Sequence, residues 1–337
     1  MKKSLIALAV LGSVAGMAQA QSSVTLYGLV DVYAARVKSG PVGAETSTTV
    51  LNSGGLLTSR FGLMGSEDLG GGLKAIFKLE QGFDASRGTA NTGTAFDRQS
   101  WVGLEGGFGT VQFGNVWSAF DDVFYIGNSV FDSFVFSPGS GGFSLAGNPV
   151  MSVYNYNDKP RNAFRYTTPS FGGFSAAVSH GLDENAATSA DQTDFNLQYA
   201  NGPLTVAFAY QLRREAGITA GEDQKYAYLA AAYDLGPVVL RGGVGQTRQV
   251  LADKTNDYQF GVDFPLSSAL TLSAGYAGSK DKDVTPEVKR QGLAFGATYT
   301  LSKRTLVYAA LNSSKQKVGG TTSDKYSFVG AGLQHKF

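Results

Sequence analysis

The chain has 337 residues with a formal charge of +1 at pH 7, and it contains 44 glycines, 9 prolines and no cysteine. The absence of cysteine excludes disulfides, thiol redox chemistry and cysteine-ligated zinc, and the near-neutral charge gives no sign of a nucleic-acid partner. Aromatic residues make up 12% of the sequence, which together with the abundant glycine is typical of aromatic strands joined by tight turns.

The N-terminus has the layout of a secretory signal. Lys2 and Lys3 precede an apolar run over 5–14, and small residues end at Ala20. The run is shorter than the roughly 20 residues that a membrane-spanning helix needs, which argues against the alternative of a permanent anchor. We therefore predict a cleaved signal peptide over 1–20 and a mature chain over 21–337.

Apolar residues recur at every second position along most of the mature chain. The clearest run is Leu204, Val206, Phe208, Tyr210 and Leu212, and Leu293, Phe295, Ala297 and Tyr299 repeat the pattern. A soluble sandwich would show the same period, so alternation alone does not decide the fold.

The lengths of the connections do decide it. Seven short turns, six of which contain glycine or proline, alternate with long polar connections, which we place at 37–55, 86–95, 115–159, 181–192, 214–223, 247–256, 280–288 and 313–324. Such an even-numbered pattern with both chain ends on the short-turn side is typical of outer-membrane barrels, and no later window has the apolar length of a membrane helix. We predict an all-β fold, a membrane-spanning 16-stranded antiparallel β-barrel.

The third long connection, 115–159, is too long and too aromatic for an ordinary surface loop. Its aromatic residues include Trp117, Phe120, Phe124, Phe136 and Tyr154, and a segment of this composition buries surface instead of remaining disordered. We predict that this loop folds into the lumen of the barrel and narrows a pore.

The last strand alternates up to the C-terminus, where Phe337, His335 and Leu333 share one face. Together with Ser23-Val24-Thr25-Leu26-Tyr27-Gly28, Ser59-Arg60-Phe61-Gly62, Arg98-Gln99-Ser100-Trp101 and Gly109-Thr110-Val111-Gln112-Phe113-Gly114, this ending resembles the trimeric general porins of Gram-negative bacteria, in the branch typical of β-proteobacteria. The resemblance covers essentially the whole mature chain.

The resemblance implies an outer-membrane homotrimer through which small hydrophilic solutes and inorganic ions diffuse. It also implies contact with outer-membrane lipid and lipopolysaccharide, and recognition of the Phe337 and His335 end by the barrel assembly machinery. Arg60, Arg98 and Arg161 match the arginine cluster that lines one side of the family's pore. The loop tip Ser137-Pro138-Gly139-Ser140-Gly141-Gly142-Phe143 departs from the tip of relatives.

Strand parity selects further charged residues for the lumen. If Phe61, Phe77, Trp101 and Phe164 face lipid, then six cations point inward: Arg60, Lys74, Lys78, Arg98, Arg161 and Arg165. Glu80, Asp121 and Asp122 are the candidate acidic partners, although the two aspartates are equally suited to capping a helical turn. A hydrated pore with more cations than carboxylates enriches anions, so we predict modest anion selectivity.

Other functions fit less well. Neither His180 nor His335 has an acid and a nucleophile recognisably arranged around it, so we predict no catalytic residue, and we predict no cofactor or metal site. A structural anchor would have fewer strands and a separate domain. A substrate-specific channel for organic anions or sugars remains the alternative to a general pore.

Overall fold

The structure, a computed structural model, describes residues 23–140, 147–182, 191–214, 223–248, 254–282 and 284–337. The predicted signal peptide and residues 141–146 of the loop tip lie outside these ranges. None of the helices in the described ranges is long and apolar enough to cross a membrane.

The chain is built almost entirely from strands. The first nine are β1 Ser23–Pro41, β2 Thr46–Ser53, β3 Arg60–Gly70, β4 Leu73–Asp84, β5 Thr89–Ala90, β6 Gln99–Gly106, β7 Gly109–Asn115, β8 Ala163–Thr167 and β9 Phe174–Gly181. The remaining nine are β10 Gln192–Asn201, β11 Leu204–Arg213, β12 Gln224–Asp234, β13 Val239–Arg248, β14 Lys254–Pro265, β15 Leu270–Asp281, β16 Val288–Thr300, β17 Thr305–Val318 and β18 Thr321–Lys336. A single α-helical turn in the described ranges, α1, spans Asp121–Phe124, and 3₁₀ turns span Tyr125–Gly127 and Ser152–Asn155.

The strands close into an antiparallel barrel. Strand β1 pairs with β18 on one side and with β2 and β3 on the other. Strands β2 and β3 lie in line beside β1 and act as one barrel strand, and β5 is a two-residue extension beside the end of β4. The predicted 16-stranded barrel is therefore confirmed.

Two of the long connections differ from the prediction. The segment 37–55 is largely a hairpin, since β1 continues to Pro41 and β2 begins at Thr46. The segment 313–324 is likewise strand, with Gly319 and Gly320 as the turn between β17 and β18. Both runs are polar but rich in Thr, Ser and Val, and outside the membrane a strand needs no apolar face, so the ladders extend beyond the predicted limits.

The outer wall is apolar and the lumen wall is polar. Exposed Phe208, Leu229 and Phe260 alternate with inward positions, and buried Gln211, Asp257 and other polar side chains face inward. This separation is the alternation that the sequence predicted, with the apolar stripe turned to lipid. The main hydrophobic core is not between sheets but between the barrel wall and the segment that connects β7 to β8.

Candidate functional site

The segment between β7 and β8, residues 116–162, is called the third loop below, and its described parts, 116–140 and 147–162, lie inside the barrel. Its aromatic side chains pack on inward-facing rings of the wall. Phe124 lies 5.5 Å from Tyr228 of β12 between ring centroids, and Phe136 lies 4.8 Å from Phe328 of β18. Val123, Phe124 and Phe136 are buried, so the loop has a hydrophobic core of its own against the wall.

Glycines on the wall let the loop approach closely. A Cβ atom added to Gly275 of β15 would lie 1.8 Å from Ser129 Oγ, and one added to Gly296 of β16 would lie 2.5 Å from the Phe131 ring. A Cβ atom at Gly292 would lie 2.2 Å from the Pro138 carbonyl oxygen. These glycines, with Gly261 of β14, form a groove that any larger residue would fill; we call it the glycine groove.

Polar groups of the wall hold the loop at both ends. The Asp257 carboxylate accepts hydrogen bonds from the backbone N–H groups of Ser152 (2.9 Å) and Val153 (2.8 Å). Arg165 donates to Asp122, and to the carbonyl of Trp117 at 3.0 Å. Because buried backbone groups need partners, these contacts fix where the loop can lie.

The part of the loop that enters the glycine groove has an unusual backbone. Val130, Phe131 and Asp132 have positive φ angles of 56°, 67° and 55°, a left-handed conformation that is strained for residues other than glycine. The Val130 N–H donates to Ser273 Oγ at 2.8 Å, and Asn128 Nδ2 donates to Asp132 Oδ1 at 2.6 Å. Such strain persists where the surroundings over-determine it and is common at functional sites.

Three of the predicted cations meet where β3 and β4 lie beside the residue that precedes β6. Glu80 Oε1 lies 2.8 Å from Arg98 Nε, and Glu80 Oε2 lies 3.5 Å from Arg60 Nε and 3.8 Å from Lys78 Nζ. Tyr27 also donates to Glu80. Arg60, Lys78 and Arg98 are called the basic wall below. Since Glu80 is buried among them, it does not lie on an opposing acidic side.

Trp117 connects the basic wall to the start of the third loop. The Arg98 guanidinium carbon lies 5.2 Å from the centroid of the Trp117 ring, and Lys159 Nζ lies 4.6 Å from it. Cations are attracted to the face of an indole ring. The arrangement keeps Arg98 beside the loop, and the Asp158 carboxylate pairs with the Lys159 ammonium on the same ring.

The other three predicted cations lie elsewhere. Lys74 pairs with Glu105 at 3.5 Å next to the short turns, and Arg165 is nearly buried behind the loop with Asp122. Arg161 is exposed and lines a separate cavity of about 630 Å³ with Lys159, Arg213 and Arg214. The six predicted cations thus occupy four places rather than one cluster.

Burial raises the pKa values of two carboxyl groups of the loop. Burial raises the pKa of Asp121 to about 7, against the hydrogen bond that Tyr156 donates to it. Burial also raises the pKa of Asp132 to about 6, against the effects of Asn128 and Arg241. Asp121 and Asp122 lie in the first turn of α1, where neither provides a side-chain cap.

Sequence reasoning missed an inner segment, residues 54–59, that connects β2 to β3 on the inside of the barrel. Asp31 of β1 accepts backbone hydrogen bonds from Gly55 (3.0 Å) and Leu56 (3.0 Å), and Ser133 of the loop donates to the Gly55 carbonyl at 2.5 Å. The signal was present: Asp31 is at an inward position, and Leu56 and Leu57 directly follow the polar connection that was predicted at 37–55.

The C-terminus closes the barrel. Gly28 and Phe337 exchange backbone hydrogen bonds of 3.1 Å and 3.0 Å. His335 lies on the exposed outer face with Leu333, and its ring nitrogen is 2.9 Å from Thr305 Oγ1. Neither histidine belongs to a possible metal-binding group among the described residues.

A closed barrel with an apolar outer wall, a charged lumen and a loop packed inside it defines a transmembrane channel protein. Residues 7–319 match the family model described as Gram-negative porin. The chain belongs to that family. It is 35% identical to outer membrane porin protein 32 of Delftia acidovorans over 98% of this chain and 95% of that protein. It is 30% identical over the full length of both chains to an outer membrane porin protein of Bordetella pertussis.

A solved structure, the anion-selective porin from Comamonas acidovorans, superposes with a TM-score of 0.77 at 29% identity, covering 94% of this chain and 100% of that one. The protein is an outer-membrane porin of a Gram-negative bacterium, a channel for passive diffusion.

Proposed function

We propose that this porin passes small hydrophilic solutes and ions with a modest preference for anions, and that the basic wall sets the preference. The observation that carries the proposal is an imbalance of charge. Three cations surround the single carboxylate of Glu80, a local charge of +2, while burial raises the pKa of Asp121 to about 7 and that of Asp132 to about 6.

The position of the third loop supports this assignment. Its polar anchors lie mainly on β8 to β17, for example Asn196, Asp257 and Asn312. The basic wall lies on β3, on β4 and just before β6, and Trp117 of the loop contacts it through Arg98. The open passage would then lie between the loop and the basic wall, with residues 115–159 as the constriction.

The name of the relative in Comamonas acidovorans agrees with the sign of the preference, because it is described as anion-selective. A cationic wall in a low-dielectric lumen enriches anions, and salt weakens the effect as the screening length shortens. Transport of this kind requires no catalytic residue and no cofactor.

The test is the reversal potential in a planar bilayer under a potassium chloride gradient. We expect Arg60→Ser/Arg98→Ser, which reduces the local charge from +2 to zero, to abolish the chloride preference at unchanged barrel stability. The matched control, Lys303→Ser/Arg304→Ser, removes two cations from a short turn and is expected to retain the preference. A wild-type channel that favours potassium would overturn the proposal.

Arg161→Ser measures the contribution of the separate cavity. If the preference depends on Arg161 and not on Arg60 and Arg98, the selectivity site lies in that cavity instead of on the basic wall. Saturation of the current by one organic anion at low concentration would favour a substrate-specific channel.

We also propose that the mature chain starts at Gln21 and assembles as a homotrimer, with Phe337 and His335 presented to the assembly machinery. The support is the layout of the N-terminus and the family resemblance of the strand ends. N-terminal sequencing of the purified protein tests the first statement. Conductance that rises in groups of three equal steps tests the second.

A further inference from the structure

One buried carboxylate holds the inner segment, residues 54–59, against the lumen side of β1. The side chain of Asp31 is fully buried. Its two oxygens accept five hydrogen bonds, from the backbone N–H groups of Gly55 (3.0 Å), Leu56 (3.0 Å) and Leu57 (3.1 Å), from the side-chain amide of Gln334 (3.0 Å) and from the hydroxyl of Tyr308. Hydrogen bonds to an ionised acceptor are roughly twice as strong as those between neutral groups. The carboxylate therefore fixes three consecutive backbone groups of the segment.

The backbone of Asp31 holds both ends of the same segment. Its carbonyl oxygen accepts hydrogen bonds from the Gly54 N–H at 2.8 Å and from Ser59 Oγ at 3.1 Å. Its own N–H donates to Ser59 Oγ at 2.9 Å. Because a single residue of β1 binds the first and the last residue of the segment, β1 determines the path of the chain between them.

The inner segment packs against the wall as closely as a core element. A Cβ atom added to Gly55 would lie 2.1 Å from Tyr308 Oη and 2.8 Å from Tyr33 Cδ1. Leu56 is buried in the same hydrophobic cluster as Phe136 of the third loop. Protein interiors leave few voids at such contacts, so a displacement of the segment is felt by its neighbours.

The inner segment touches both the third loop and the basic wall. The Gly55 carbonyl accepts a hydrogen bond from Ser133 Oγ of the loop at 2.5 Å, and the Thr58 carbonyl accepts one from Arg60 Nη1 at 3.4 Å. Trp117 already joins the start of the loop to the basic wall. The inner segment joins the two a second time, at a different part of the loop.

The arrangement depends on a carboxylate at position 31. None of the ion pairs among the described residues includes Asp31. A buried charge without a cation beside it is costly, and here the five hydrogen bonds compensate that cost. An asparagine has one acceptor oxygen and would turn an NH₂ group toward donors, so it cannot replace the carboxylate in this contact.

We propose that Asp31 is a positioning residue for permeation. Through the inner segment it fixes the third loop at Ser133 and Arg60 of the basic wall relative to each other. The inner segment is then a second element of the constriction, beside residues 115–159. The effect on selectivity rests on the proposed function, because Arg60 belongs to the basic wall, whereas the effect on the width of the passage does not.

The first test compares Asp31→Asn with Asp281→Asn in a planar bilayer under a potassium chloride gradient. Each variant removes one negative charge from the inner face of the barrel, but Asp281 of β15 binds only wall residues in the described ranges, Arg290 at 2.9 Å and Thr255 at 3.0 Å. It is therefore a charge-matched control. Both variants must keep the heat-modifiable mobility of a folded barrel.

In Asp31→Asn, the backbone N–H groups that lose their acceptor turn to the water of the lumen, and the inner segment leaves β1. We expect single-channel conductance to fall about twofold, because the passage is narrowed. The chloride preference should decrease, because Thr58 then lies between Arg60 and the permeating ions. Loss of the charge alone has the opposite sign, since removing a carboxylate from the lumen favours anions. Asp281→Asn should keep the wild-type conductance.

Tyr308→Phe is the milder variant, for use where Asp31→Asn does not fold. It keeps the carboxylate and removes one of the five donors. We expect a smaller fall in conductance, in the same direction. A folded Tyr308→Phe barrel with wild-type conductance and selectivity would then count against the role of Asp31.

Thiol labelling tests the place of the inner segment independently. The chain has no cysteine, so Thr58→Cys offers one target for the anionic reagent sulfonatoethyl methanethiosulfonate. Thr58 is half-buried, and its modification should reduce both the conductance and the chloride preference. Ser302→Cys, in an exposed short turn, is the control and should conduct as before after the same treatment.

The outcomes separate the inference from its alternatives. Lower conductance and lower chloride preference in Asp31→Asn, but not in Asp281→Asn, support it. An unchanged conductance in a folded Asp31→Asn barrel, or a rise in chloride preference alone, overturns the positioning role. An unchanged current after labelling of Thr58→Cys overturns the inner segment as part of the constriction. A wild-type channel that favours potassium overturns the proposed selectivity, and the conductance measurements still decide this inference.

Discussion

Replacing Gly275 with alanine tests whether the third loop is seated in the glycine groove. The added Cβ atom would lie 1.8 Å from Ser129 Oγ and 2.9 Å from Ser129 Cβ, whereas ordinary contact begins at 3.4 Å. Rotation of the serine hydroxyl relieves the first contact but not the second. The three nearest atoms all belong to the loop, because the third is Pro138 Cγ at 3.1 Å, so the wall itself is not disturbed.

We expect the loop to move away from β15 by between a few tenths of an ångström and about 1.6 Å, the amount by which 1.8 Å falls short of 3.4 Å. Overpacking of this kind costs about 1–3 kcal/mol. The anchors at Asp257 and Arg165 remain, so the displaced segment moves into the lumen and single-channel conductance falls.

Ser129→Gly in the Gly275→Ala background removes both clashing atoms and is expected to restore the conductance. Gly278→Ala is the control, since its Cβ atom meets the Tyr258 ring on the outer face of the same strand. Wild-type conductance in Gly275→Ala, or failure of Ser129→Gly to alter it, would refute the seating of the loop.

Two further results are expected. Glu80→Gln raises the local charge of the basic wall from +2 to +3 and should increase the chloride preference, measured as the reversal potential; an unchanged or smaller preference would show that Glu80 does not face the permeating ions. Since burial raises the pKa values of Asp121 and Asp132 to about 7 and about 6, the loop is more negative at about pH 8 than at about pH 5, and chloride preference should decrease over that interval. The carboxyl groups of Asp121 and Asp132 hold their protons more tightly in the folded protein than in the unfolded chain, where the carboxyl pKa is near 3.8. Protonation of the two groups therefore favours the folded state fully below pH 3.8, and this stabilisation is lost as the pH rises to about 7. Asp121→Asn/Asp132→Asn should remove the pH dependence of the reversal potential, and its persistence in that variant would assign it to other groups.

The sequence predicted the barrel well because a strand has a strict period of two. Alternation placed Arg60 and Lys78 inward without knowledge of any partner, and the alternation of turn and loop lengths gave the strand number. Both signals are local, so a single sequence contains them.

The expectation that Trp101 faces lipid was wrong: exposed Val102 and Leu104 form the outer face of β6, and Trp101 lies on the inner face, where its Nε1 donates to Gln99 at 3.0 Å. Arg98 precedes β6, so alternation does not explain its position beside Glu80.

Height along the pore was not predictable in the same way. Lys74 and Lys78 share a face but stand about 13 Å apart along β4, and the register with β6 brings Lys74 to Glu105 at the short-turn end. Arg161 lies before β8 begins, so parity had no strand on which to act. Position along the axis depends on the pairing between strands, which one sequence does not show.

The residues that hold the third loop were also missed, although each is an inward-facing polar side chain. Asp257 and Asn196 stand at such positions, but alternation does not distinguish a hydrated wall residue from one that meets the loop. The path of the loop depends on long-range contacts, such as that of Asn312 with the carbonyl of Ser137 at 2.9 Å.

The packing of Phe124 and Phe136 against Tyr228 and Phe328 makes the third loop a source of folding energy as well as an obstacle to flow. A barrel filled with water has no interior core, and here the loop provides one from within. Substitutions that shorten these aromatic side chains to widen the passage therefore also loosen the wall around it. The width of the passage and the stability of the barrel therefore depend on the same aromatic rings. Variants with wider pores should fold stably mainly when other contacts of the wall replace the lost packing.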